Sequence, residues 1–143
     1  MATNFQELIK LLQLQEIRFM DSHESVLQVI NNINDNTKVL IKTEQAFRQK
    51  DPIINDNIIV FCPKYVFTFF IEDKLFFKCE YIISISFKTD DSKKVQALLE
   101  DKETKNIFLT QQLNKTLWSI LRGTIMDAFN RHSLRPVVLP WVL

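Results

Sequence analysis

Two histidines, two cysteines and a few clustered carboxylates are the side chains of this 143-residue chain best suited to chemistry. Nucleophilic or acid–base catalysis needs a base within hydrogen-bond reach of its partner group. His23 falls in a cap-like stretch, Asp21-Ser22-His23-Glu24-Ser25, and His132 follows the last helical pattern, so each reads as a solvated surface histidine. Cys62 and Cys79 lie far apart in sequence with no Cys-x-x-Cys pair, and read as small apolar residues of strands in a reducing compartment. No His/Cys/Asp/Glu grouping has zinc spacing, and Asp90-Asp91 and Asp101/Glu103 read as solvated turns. A single glycine in the whole chain removes every Gly-rich phosphate loop. The expectation is a non-enzyme with no metal, no cofactor and no small-molecule substrate.

Binding chemistry is the remaining possibility. Eighteen Lys and Arg against seventeen Asp and Glu give a net charge of +1, and the cations are scattered, which argues against nucleic acid. Lys42, Arg48 and Lys50 form one loose basic grouping beside a loop. They read either as solvated or as a weak patch for an anionic membrane, where each cation contributes about 1 kcal/mol. Twelve Phe, two Trp and two Tyr could suggest base stacking. Alternation places Tyr65, Phe67 and Phe69 on one strand face, read as core, and leaves Phe70, Phe76 or Phe77, and Phe108 for the other. An outward aromatic cluster marks a protein interface or the docking face for the N-terminal helices.

The elements that must position these residues centre on 57–88, where β-branched and aromatic residues are cut into strand-length pieces at Cys62-Pro63-Lys64, Glu72-Asp73-Lys74 and Lys78-Cys79-Glu80. Ile83, Ile85 and Phe87 alternate with Ser84, Ser86 and Lys88, the period of a half-buried antiparallel strand. Strands are expected over 39–45, 57–62, 64–72, 75–79, 81–88, 93–100 and 105–110. Seven short strands of this spacing imply a sandwich or barrel. Before them, Phe5, Leu8, Ile9, Leu12 and Ile17 predict a helix, and Ser22 to Ile33 a second one ended by an Asn-rich break. After them, Leu113, Leu117, Leu121, Ile125 and Ala128 form the apolar stripe of a C-terminal helix over 110–131. That helix is expected to plug the barrel mouth through Leu117, Trp118, Leu121 and Ile125. The apolar tail 133–143 either packs back on the domain or leads into a longer protein.

A strand meander followed by one amphipathic helix carrying Trp118 resembles the pleckstrin-homology superfold over 38–131. Ile58-Ile59-Val60-Phe61-Cys62, the break at Pro63-Lys64 and Tyr65-Val66-Phe67-Thr68-Phe69-Phe70 are similar to that family's second and third strands. The helical lead-in is similar to the divergent domains that open CARMIL-type leucine-rich-repeat cytoskeletal regulators, although this chain holds no such repeat. The resemblance implies a mainly β, seven-stranded sandwich or barrel over 37–132 with a helical extension at 1–36. It implies a non-catalytic targeting or adaptor module, with Lys42, Arg48 and Lys50 contacting anionic phosphoinositide or membrane lipid. Asn55-Asp56-Asn57 stands where that family's headgroup site would want cations. The alternative is a protein–protein interaction or structural domain of a cytoskeletal or signalling scaffold, without lipid contact. The N-terminus lacks a signal-peptide pattern and no window reaches the ~18 apolar residues of a membrane span. The expected location is cytoplasmic, or peripheral at a membrane.

Overall fold

The computed structural model describes residues 2–30, 36–47, 51–135 and 139. Its elements run α1 (Ala2–Leu11), β1 (Gln13–Val26), β2 (Leu40–Phe47), β3 (Ile53–Asn55), β4 (Ile58–Phe61), β5 (Pro63–Ile71), β6 (Lys74–Lys88), α2 (Ser92–Glu100) and α3 (Lys102–Ile107). A π-helical turn, Phe108–Gln112, then carries the chain into α4 (Leu113–Arg131).

The six strands pair antiparallel in one sheet that does not close. β6 is its spine. β4 and β5 lie end to end along one side of it, because the register runs without a shift from Ile58↔Lys88 through Lys64↔Ile82 to Phe69↔Phe77. β1 pairs with the other side of β6. β2 and β3 flank β5 and β4 on the outside. The β5–β6 connection is a two-residue turn, Glu72-Asp73, whose φ values of 51° and 63° match the left-handed backbone that suits strand twist.

Alternation decides which side is covered. Tyr65, Phe67 and Phe69 of β5 and Phe77, Cys79, Tyr81, Ile83 and Ile85 of β6 are buried, and the even-numbered residues 64–70 and 78–86 between and beside them are half-buried. Phe76, at the register shift beside Phe69 and Phe70, is buried as well. The helices lie on the buried face. The rings of Phe67 and Trp118 are 5.9 Å apart, Phe69 and Phe129 meet edge-to-face at 5.0 Å, and Phe61 reaches Phe108 at 5.2 Å. Leu117, Trp118, Leu121 and Ile125 are buried, at 4% exposure or less. They press α4 across one face of an open sheet, and no barrel mouth exists for them to plug.

Four expectations are corrected. The seven-stranded sandwich or barrel is a mixed α/β arrangement with one open six-stranded sheet. Residues 13–17 and 22–26, expected as parts of two helices, belong to β1. Its alternation is interrupted by register shifts at Leu14/Glu16 and Phe19/Asp21, which move side chains from one face to the other and hide period two. The strands expected over 93–100 and 105–110 are helical. Asp91 caps α2 by accepting the Lys94 amide at 3.1 Å, and Val95 and Leu99, one turn apart, are the residues α2 buries. The break expected at Lys78-Cys79-Glu80 lies inside β6, because Lys78 and Glu80 share the open face, 3.0 Å apart, and Cys79 points into the core. Within 22–33, residues 31–33 lie outside the described residues.

Candidate polypeptide-binding surface

The even-numbered face of the sheet carries no described helix, and its side chains mix charge with apolar surface. Ile58, Val60, Val66, Phe70 and Ile82 are half-buried there. On β2, which pairs only with β5 among the described residues, the same face shows Leu40 opposite Phe70, Lys42 opposite Thr68 and Glu44 opposite Val66. Leu40 is 55% exposed. The Lys42 ammonium sits 5.0 Å from the centre of the Phe70 ring, a favourable cation–π distance that lays the lysine stem over apolar surface. Where β2 begins, Lys38, Val39, Leu40, Phe70, Glu72 and Asp73 line a cleft of about 540 Å³. Its floor is apolar and its rim carries both signs of charge.

A polar network fixes the other end of β2, at Gln45. Gln45 Nε2 donates to the Leu109 carbonyl at 3.0 Å and to Asn114 Oδ1 at 2.9 Å. The Tyr65 hydroxyl donates to the same Asn114 oxygen at 2.7 Å. The π-helical turn, whose wider winding alters the usual i→i−4 bonding, supplies the Leu109 carbonyl. Burial pushes the Tyr65 phenol up to about 12, opposed by the Gln45 bond. The edge strand is thus held to the helical layer by side chains rather than by a further strand.

A second cleft of about 450 Å³ lies between the β3 region and α2–α3, lined by Asp51, Pro52, Ile54, Gln96, Leu99, Glu100, Lys102 and Lys105. The 2.6 Å ion pair between Lys105 and Asp51 spans its wall. At the opposite end of the fold, Glu24 of β1 turns into the core side of the sheet. It accepts the Tyr81 hydroxyl at 2.6 Å and an Arg131 guanidinium nitrogen at 2.8 Å, and its side chain is 6% exposed. Burial and the bond to Glu24 both drive the Tyr81 phenol strongly upward. Burial also pushes the Cys79 thiol up to about 12. These are the marks of a structural tether rather than a reactive centre. Among the described residues no group of three or more His, Cys, Asp or Glu side chains is placed to hold a metal ion.

Of the expected basic site, Lys42 alone falls among the described residues. Lys42 lies on the open face of β2 against Phe70, and Arg48 and Lys50 lie outside the described residues. Of the aromatics expected on the outer face, Phe70 is there, whereas Phe76, Phe77 and Phe108 are core residues at 2% exposure or less. Sequence reasoning missed Val39 and Leu40 as lining residues. The available signal was the run Val39-Leu40-Ile41, whose consecutive apolar residues cannot all face one side of a strand.

No protein-family model matches the chain, and no curated protein matches it. Among solved structures it is similar to a SecB-like chaperone of Mycobacterium tuberculosis, in complex with a ChAD peptide from the HigA1 antitoxin. The TM-score is 0.70 at 10% identity, covering 99% of this chain and 98% of that one. This likeness over the whole length overturns the resemblance to pleckstrin-homology and CARMIL-type domains. The lipid-targeting role that rested on that resemblance falls with it, as do the phosphoinositide, adaptor, cytoskeletal and signalling associations. At 10% identity this likeness shows the fold, and the peptide belongs to that neighbour's complex. Among the described residues no helix is long and apolar enough to cross a membrane.

Proposed function

We propose that this chain is a non-catalytic, chaperone-like protein that binds segments of other polypeptides. The carrying observation is the fold, shared across nearly the full length with a chaperone whose complex contains a peptide. Two features of the chain support this assignment. Among the described residues one sheet face has no helical cover and presents apolar side chains among charges, so an apolar segment can dock without an exposed patch large enough to drive aggregation. The β2 edge lies beside an apolar cleft. Residues 2–135 act as one unit in this proposal, since β1 supplies a strand of the sheet and α1 buries Leu8 in the same core.

The test is suppression of client aggregation. Insulin whose disulfides are reduced in the presence of the purified chain is expected to scatter less light as the chain concentration rises, without nucleotide. Scattering unchanged across that range, with the chain shown to be folded, removes the proposal.

A further inference from the structure

We infer that an extended segment of a partner polypeptide adds antiparallel to the free edge of β2, placing a basic residue opposite Glu44, an acidic residue opposite Lys42 and a large apolar residue beside Leu40 and Phe70. This deepens the polypeptide-binding assignment above and rests on it.

A strand offers backbone donors and acceptors to both sides, and β5 satisfies only one side of β2. Among the described residues nothing pairs with the other side, so its N–H and C=O groups form a template for another extended backbone. The β2–β5 register runs unbroken from Leu40↔Phe70 to Phe47↔Pro63, which keeps that template straight. β1, also paired on one side only, carries two register shifts that bend it and interrupt its ladder. The regular edge is the receptive one. There is also room on the helix side of β2: Thr43 faces that side, opposite the buried Phe67, and is nevertheless exposed.

Side chains on the open face set the pattern of the occupant. Leu40, Lys42 and Glu44 alternate there and all are exposed. Cross-strand neighbours of opposite charge are favourable and like charges are not. An antiparallel occupant read from its N-terminus therefore carries a basic, an acidic and an apolar residue at alternate positions. A second copy satisfies the charges too, since β2 paired with itself about Thr43 sets Lys42 against Glu44. It would, however, bring only the Ala46 methyl opposite Leu40, too short to fill a cleft of about 540 Å³. A separate segment with a large apolar side chain uses both features.

The probe is a short fluorescein-labelled peptide, blocked at both ends, with Lys, Asp and Leu at alternate positions and Thr between them. Fluorescence anisotropy on the full chain is expected to give saturable binding. A peptide with Lys and Asp exchanged should bind about fivefold more weakly, the upper range for a cross-strand charge pair. The Lys42→Glu/Glu44→Lys double variant should reverse that preference, a readout that a misfolded variant cannot produce. Hydrogen exchange of the amides of Leu40–Phe47 should slow when the peptide is bound. No binding, no reversal, protection of β1 instead of β2, or sedimentation showing a β2-mediated dimer that the peptide fails to displace would overturn the inference. If the double variant still suppresses insulin aggregation while the peptide results are negative, the edge site falls and the chaperone assignment stands. If neither chain suppresses aggregation, the broader assignment falls.

Discussion

Glu24 shows how much a single side chain can depend on its neighbours. Its carboxylate sits at 6% exposure, yet the Tyr81 hydroxyl and the Arg131 guanidinium both donate to it, joining β1, β6 and the last turn of α4. Arg131 is itself 60% exposed, so solvent screens that pairing and the phenol bond carries most of the effect. Glu24→Leu is expected to cost about 1–3 kcal/mol, the range for leaving a buried donor unmet, measured by urea unfolding. Arg131→Ala should cost clearly less. Tyr65 provides a pH test with a definite sign. Its folded-state pKa lies near 12 because burial disfavours the phenolate, above the ordinary phenol value of about 10. Its contribution is fully present below pH 10 and is lost as pH rises towards 12, since the unfolded chain releases that proton first. Tyr65→Phe should flatten the fall in unfolding free energy across that alkaline window.

At the scale of elements, two short polar stretches decide where the chain turns and where it becomes helical. Glu72 and Asp73 both take left-handed backbone, which costs an L-residue roughly 1 kcal/mol and a glycine almost nothing. Asp73→Gly is therefore expected to stabilise the protein by about 1 kcal/mol, seen as a raised denaturant midpoint with an unchanged slope. Asp91 does the opposite service, accepting the Lys94 amide at the start of α2. Asp91→Ala should cost about 1 kcal/mol. The 57–88 meander was legible before any coordinates because its period-two burial on β5 and β6 is nearly unbroken. β1 was not, because its side chains change face at each register shift. In α2, Val95, Ala97 and Leu99 fit alternation as well as the i, i+4 spacing fits a helix, and only the Asp91 cap distinguished them.

Across the whole molecule, α1 and β1 belong with the rest of the chain. Ile17 and Phe19 pack against the core, and the Phe19 ring meets Tyr81 edge-to-face at 5.6 Å. Denaturation of the full chain should follow one cooperative transition by both far-ultraviolet circular dichroism and tryptophan fluorescence, as a single unit requires. Removal of residues 1–26 would strip β6 of a partner along one side and should abolish that transition rather than leave an intact remainder. Two non-coincident transitions would show instead that the N-terminal segment folds apart. The amino-acid sequence by itself determined the hydrophobic meander, the apolar stripe of α4 and the outward placement of Phe70, because each follows from local periodicity. Whether those strands closed into a shell or stayed open, and so whether an edge and a face remained for a partner, was settled by β1 pairing with the far side of β6 and by 92–112 forming helical turns. The β1 pairing joins residues remote in sequence, which no local spacing encodes, and in α2 the local spacing was ambiguous until the cap at Asp91 was seen.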